Sequence, residues 1–184
     1  DVVEVKKWRE EIERLMLSEM SSRSANLYQH LHTIYQDLGA FGTAILYVEF
    51  RGDLRVRAFH LQDCVIRENE AGFVDSLDRQ EFLTARQARQ RWGDVAGKSV
   101  DEAMKSRKAG SKTERFRFLH CVFPISDRDM NELLPAQVRN RPGSVFASIW
   151  INTRDRTVVA ASGFEEFPYM VPRWVKARGE VYGR

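Results

Sequence analysis

The stretch Asp37-Leu38-Gly39-Ala40-Phe41-Gly42-Thr43-Ala44-Ile45-Leu46-Tyr47-Val48-Glu49-Phe50 marks the sharpest change of pattern in this sequence of 184 residues. A helical period runs up to Gly39, a second glycine follows at Gly42, and β-forming residues then dominate. We predict that Gly39 ends a helix and that Gly42 lets the chain reverse into a strand. Nucleotide-binding glycine loops run from strand to helix with other spacings, so we expect no ligand at this corner.

Two amphipathic helices are predicted before the corner. Apolar residues recur at intervals of three and four from Val5 to Met20, and a second apolar stripe runs from Leu27 to Leu38. A short polar break separates the two stripes. Residues 1–38 are therefore predicted to be helical, as a hairpin or a kinked pair.

Strands with alternating apolar and charged residues are predicted after the corner. Residues 43–50 and 54–61 form a hairpin across the turn Arg51-Gly52-Asp53, and further strands follow at 64–67 and 73–83. This pattern, over 43–83, is typical of an antiparallel meander with one solvated face.

Residues 84–110 are predicted to hold two short helices. Thr84 is placed to cap a helix that Gly93 closes, and Ser99 followed by Glu102 has the form of a capping box for a second helix. Residues 114–184 then return to sheet and an extended aromatic tail. Within them a strand ends at Pro124, 127–143 is irregular, and 144–152 pairs with 157–162.

The fold class predicted from these elements is α+β. It consists of an N-terminal helix pair followed by a mostly antiparallel β-sheet, with two short helices inserted. The composition is that of a globular protein, with 43% hydrophobic residues, 30% charged residues and a formal net charge of +3. We expect one domain over 1–184, excised from a longer protein because no initiating Met is present, and a soluble, cytosolic character.

The histidines and cysteines of the sequence stand in patterns that do not predict reactive groups. His30 and His32 lie on opposite sides of a helix, and His60 and His120 have no metal-ligand partner at a suitable spacing. Cys64 is predicted, with Cys121, to be a buried free thiol.

Carboxylate pairs are the remaining candidates for chemistry. Glu165 with Glu166, and Asp127 with Asp129, lie in polar or turn-like stretches that favour solvated side chains. No serine or cysteine stands in a nucleophile motif. The sequence therefore predicts no enzyme activity, no cofactor and no metal.

Six basic residues form the candidate contact surface. They could face DNA phosphates, line a charged seam against a neighbouring subunit, or remain solvated. These residues are Arg86, Arg89, Arg91, Arg107, Lys108 and Lys112.

Six short segments stand in a fixed order along the chain and carry a family resemblance. They are Tyr35-Gln-Asp-Leu-Gly-Ala-Phe-Gly-Thr-Ala44, Val65-Ile-Arg-Glu-Asn69, Gly72-Phe-Val-Asp75, Leu83-Thr-Ala-Arg-Gln-Ala88, Pro168-Tyr-Met-Val-Pro-Arg-Trp174 and Gly179-Glu-Val-Tyr-Gly-Arg184. Together they resemble the head-to-tail connector, or portal, proteins of short-tailed (podovirus, T7-like) bacteriophages and prophages.

The resemblance implies a structural protein. It implies an internal, wing-type fragment of a subunit in a ring, generally a dodecamer, at one capsid vertex, through which DNA is packaged and ejected. The implied partners are other portal subunits, capsid, scaffold, terminase and tail proteins and the passing DNA, without a membrane. The implied location is the virion, and the host bacterial cytoplasm during assembly. The family-like structural residues are Gly39, Gly42, Pro172, Trp174 and Gly183.

Two alternatives remain beside the structural role. One is a non-specific DNA-binding module that uses the basic helix and loop of 86–115. The other is an enzyme whose carboxylates are not recognisable from sequence, with Glu165, Glu166, Asp127 and Asp129 as its candidates.

Overall fold

A computed structural model describes residues 2–50, 52–108, 110–127 and 142–184. Within these residues the chain forms helices and antiparallel strands, which confirms the predicted α+β class. The helices are α1 (Val2–Met20), α2 (Leu27–Phe41), α3 (Ala85–Trp92) and α4 (Lys98–Lys105). The strands are β1 (Ile45–Phe50), β2 (Leu54–Phe59), β3 (Cys64–Glu68), β4 (Val74–Thr84), β5 (Arg115–Pro124), β6 (Phe146–Asn152), β7 (Thr157–Phe164) and β8 (Tyr169–Met170).

The chain divides into two compact units. The first unit comprises the residues up to Leu61 together with Pro168–Arg184, and the inserted unit comprises Gln62–Phe167. The strands predicted over 43–83 are all antiparallel, but they belong to two sheets, because β2 pairs with β1 and β3 pairs with β4. The single domain expected from the sequence stays a prediction.

The first unit is built on a three-stranded sheet in the order β2-β1-β8. Helix α2 packs on this sheet, where Ile34 joins Ala44, Leu46 and Val56 in a buried apolar cluster. Helix α1, by contrast, has no buried residue, and its Trp8 is 63% exposed. Packing on the sheet therefore accounts for α2 and not for α1.

The glycine that ends α2 is Gly42, not Gly39. Gly42 lies in the left-handed region with φ 66°, and its N–H donates to the carbonyl of Leu38, whereas Gly39 is inside the helix. The prediction for Gly39 was therefore wrong. The apolar stripe that suggested a stop at Leu38 ended there because the last turn of α2 is more exposed, not because the helix had ended.

The inserted unit is a five-stranded meander in the order β3-β4-β5-β6-β7. Helices α3 and α4 cover one face, where Ala88 and Val100 pack with the wholly buried Phe118 and with Trp150. A smaller cluster forms around Phe123 further along β5. The predicted alternation along β5 and the end of that strand at Pro124 are confirmed.

The two short helices begin differently from one another. Thr84 caps α3 as predicted, in a capping box with Gln87. The capping box predicted at Ser99 is wrong, because α4 begins after Gly97 with no side-chain cap. Instead the N–H and hydroxyl of Ser99 both donate to the carboxylate of Asp155, which comes from the turn between β6 and β7.

Three predicted features lie wholly or partly outside the described residues. These are the irregular stretch 127–143, apart from residue 127 and residues 142 and 143, and with it Asp129; the turn residue Arg51; and Ala109 in the basic loop.

Candidate functional site

The corner at Gly42 is closed by the tail of the first unit. The Trp174 N–H donates to the carbonyl of Gly42 over 2.8 Å, and the Ala44 N–H donates to the carbonyl of Pro172 over 3.1 Å. The Gly183 N–H donates to the buried hydroxyl of Thr43 over 2.7 Å. Four of the five family-like structural residues, Gly42, Pro172, Trp174 and Gly183, therefore meet here.

The two glycines of this joint touch backbone directly. A Cβ at Gly42 would come within 3.0 Å of the Arg184 backbone, and a Cβ at Gly183 would come within 3.0 Å of the Gly42 carbonyl oxygen. A Cβ at Gly39 would meet nothing within 4 Å. The space beside the two contacting glycines is thus occupied by the protein's own chain, which makes the corner an architectural joint.

The arginines of α3 do not act as one basic face. Arg89 forms ion pairs with Asp94 and Asp101. Arg91 pairs with Glu81 over 3.2 Å and stacks over the Trp150 ring at 4.1 Å. Both side chains hold the inserted unit together.

The other four residues of the candidate contact surface are exposed and unpaired among the described residues. Arg86 is exposed on α3, while Arg107 and Lys108 are exposed in the loop after α4, together with Lys112. Within the part of the chain that the structure describes, none of these four side chains takes part in an ion pair. Lys105, which lies within the 86–115 stretch of the DNA-binding alternative, also carries no such pair and lies beside these loop residues.

Trp150 is the centre of a stacked cationic and aromatic cluster. The His120 ring stacks on it at 4.2 Å with an interplanar angle of 10°, and Arg79 lies over it at 5.2 Å. His120 is buried, and its Nε2 is 2.9 Å from the hydroxyl of Ser148. Burial, reinforced by Arg79 and Arg91, lowers the pKa of His120 to about 3.

This low pKa predicts an acid-sensitive stability. Because the pKa of His120 is lower in the folded protein than the ordinary 6.5, the unfolded state binds the proton first as the pH falls. The contribution of neutral His120 to the free energy of unfolding is therefore fully present above pH 6.5. It is lost as the pH falls towards 3, at up to about 1.4 kcal/mol per pH unit. We expect His120→Gln to flatten the fall in unfolding free energy between pH 6.5 and 4, measured by urea titration.

The control for this measurement is His32→Gln, because His32 is exposed on α2. We expect its pH profile to follow that of the unmodified protein. Equal slopes for all three proteins would contradict the assignment of the acid sensitivity to His120.

The other predicted reactive groups have structural surroundings. His30 Nδ1 accepts the Ala58 N–H, and burial followed by the charge of Arg57 lowers the pKa of this histidine, so it is a helix-packing residue. Cys64 and Cys121 are both free thiols, as predicted, but only Cys64 is buried and Cys121 is half-buried. Burial is the largest cause that raises the pKa of each to about 12.

The described residues hold neither a metal-ligand cluster nor a membrane-spanning helix. Within residues 2–50, 52–108, 110–127 and 142–184, no three His, Cys, Asp or Glu side chains gather as metal ligands. Over those same ranges no helix combines the length and apolar character needed to cross a bilayer. Glu165 and Glu166 stay candidates by sequence alone.

The carboxylates that bind Ser99 and Arg89 could not be found from local sequence patterns. Asp155 is 56 residues from Ser99, and Asp101 is 12 residues from Arg89. Only the pairing of strands and the packing of α4 bring such residues together. Local charge counts therefore overestimated the free cationic surface of α3.

Comparison with known proteins supplies an independent line of evidence. The family described as bacteriophage head to tail connecting protein matches residues 1–184. A portal protein of Salmonella phage epsilon15 is 30% identical over 183 residues, which covers 97% of this chain and 31% of the relative. A probable portal protein of Bordetella phage BPP-1 is 27% identical over the same length, with the same coverage. The chain thus spans about a third of the length of these relatives.

Proposed function

This chain belongs to the family of bacteriophage head to tail connecting proteins, and from that membership we propose that it forms a structural part of a phage portal subunit. The observation that carries the proposal is the family match over the whole chain, joined by two relatives named as portal proteins. The portal is a ring at one capsid vertex and serves as the conduit for DNA packaging and ejection. We propose that the complete protein assembles into a dodecamer.

The geometry of the described residues supports a building block. A joint in the first unit is made of backbone contacts at Gly42 and Gly183, and His120 of the inserted unit is buried against Trp150. Helix α1 exposes an apolar stripe that includes Trp8, Ile12 and Leu15. Contiguous exposed apolar surface is typical of proteins that bury it on assembly.

We propose partners and a location that follow from this role. The partners are further portal subunits, capsid, scaffold, terminase and tail proteins, and the DNA that passes through the ring. The protein acts in the virion, at the portal vertex, after assembly in the host bacterial cytoplasm. Its contribution is rigid geometry, so we propose that it has no catalytic activity.

The experiment is electron microscopy of the full-length protein that contains this chain, purified without DNA. We expect closed rings, twelvefold by class averaging, and a mass of twelve subunits by light scattering. Monomers or open oligomers at every protein concentration tested would overturn the proposal. The full-length protein with Gly39→Ala should form the same rings, because that change lies in an open part of α2 and leaves the joint at Gly42 intact.

A further inference from the structure

The end of α4 and the loop that follows it carry four exposed cations that form no ion pair with any described residue. Lys105, Arg107, Lys108 and Lys112 line a surface concavity of about 470 Å³. Among the described residues that line this concavity there is no carboxylate. We propose that this basic loop, defined by these four residues, is a docking site for the phosphodiester backbone of duplex DNA.

Two neighbouring carboxylates are paired with arginines outside the loop, and the third, Glu102 on α4, forms no ion pair with a loop cation, so the loop keeps an excess of positive charge. Asp101 on α4 pairs with Arg89, and Glu114 at the start of β5 pairs with Arg154 over 2.6 Å. Among the described residues, no ion pair involves any of the four loop cations. The local charge is therefore four positive groups within eight residues.

Hydrogen bonds shape the loop that holds these cations. The hydroxyl of Ser106 accepts the Lys108 N–H over 3.2 Å and the Ser111 hydroxyl over 3.1 Å. Further on, the Thr113 N–H and hydroxyl both donate to the Gly110 carbonyl. Gly110 lies at φ 86°, where a side chain would be strained. The cations are thus presented by a folded turn on the end of α4.

The exposure of the four side chains favours a polyanion over a small anion. An exposed cation gains little from one small anion, because water screens the attraction. A nucleic acid backbone differs, because each neutralised phosphate releases condensed counterions and the gains add along the loop. Long side chains without interleaved aromatic residues suit backbone contacts rather than base reading.

This inference rests on the proposed portal role and names residues that would contact its DNA, but ring formation is measured without DNA, so the two proposals can fail independently. It also narrows the predicted contact surface. Arg89 and Arg91 are excluded because they are paired within the inserted unit, and Lys105, from the 86–115 stretch of the DNA-binding alternative, is included.

The test is the salt dependence of binding of the 184-residue chain to a labelled 30-bp duplex of arbitrary sequence, followed by fluorescence anisotropy. Four phosphate contacts give a slope of about −3.6 in log affinity against log salt, or about a 150-fold loss from 50 to 200 mM NaCl. In the variant R107Q/K108Q/K112Q we expect a slope of about −0.9 and a loss of about 3.5-fold.

Two control variants keep the test specific. The variant K6Q/K7Q/R9Q removes the same three charges from exposed positions of α1, taking the net charge from +3 to 0 as the loop variant does, and it should keep the full slope. The variant R107K/K108R/K112R keeps every charge and should also keep the slope. Circular dichroism checks that each variant is folded.

The proposal is overturned if the unmodified chain does not bind the duplex at 50 mM NaCl. It is also overturned if the loop variant and the α1 variant lose affinity equally, because binding would then follow net charge alone. Poly-glutamate is the competitor in the last arm. Competition equal, per charge, to that of unlabelled duplex would show that the loop does not distinguish a phosphodiester backbone from an acidic polypeptide, and would overturn the assignment to DNA.

Discussion

Replacing Gly42 with alanine is expected to lower the unfolding free energy of the first unit by about 3 to 4 kcal/mol, through two effects acting together. The residue lies at φ 66°, where an L side chain is strained. The new Cβ would also come within 3.0 Å of the Arg184 backbone, which cannot give way as a flexible side chain could. We expect the whole joint to open, since the Trp174 and Gly183 hydrogen bonds form beside it.

Two other glycines separate the effects of strain and contact. Gly179 has φ 83° but open space around its Cβ position, so Gly179→Ala should cost only about 1 kcal/mol. Gly39 is helical with open space, so Gly39→Ala should stabilise the protein by about 0.5 to 1 kcal/mol. Hydrogen exchange of the β1 amides measures the first unit by itself. A loss for Gly42→Ala no larger than that for Gly179→Ala would refute the contact argument.

The corner shows what a local pattern could and could not predict. The change from helical period to β-formers correctly located a helix, a glycine turn and a strand. It could not decide which glycine was left-handed, because that depends on contact with residues 173–184, more than 130 positions away. The six ordered segments, in contrast, were sufficient to indicate the family that matches the full chain.

The inserted unit follows the same division between local and distant causes. The sequence predicted the cap at Thr84, the helix end at Gly93 and the alternation of β5, because each of these features depends on residues that are neighbours in the sequence. The start of α4 was not, because its Ser99 is bound by Asp155 from another turn. Arg91 likewise counted as free charge in the sequence, although Glu81 and Trp150 hold it in the fold.

The start of α4 depends on one buried amide, and Asn152→Ala is expected to cost about 3 to 4 kcal/mol. Asn152 is fully buried, and its Nδ2 donates to the Ala96 carbonyl over 2.9 Å and to Asp155 over 3.1 Å. Its Oδ1 accepts the Arg154 and Asp155 N–H groups. Alanine would leave the buried Ala96 carbonyl without this donor and would free the carboxylate that binds Ser99.

Asn69→Ala is the matched control, because Asn69 uses the same side-chain chemistry at an exposed turn. Its Oδ1 accepts the Ala71 and Phe73 N–H groups over 3.0 and 3.1 Å, and water can replace it there, so we expect a loss of about 1 kcal/mol. Urea unfolding gives the two free energies, and hydrogen exchange of α4 locates the change. Equal losses, with α4 protection unchanged in Asn152→Ala, would show that sheet packing alone holds α4. The conformation of the basic loop at the end of α4 would then not depend on the Asn152 amide.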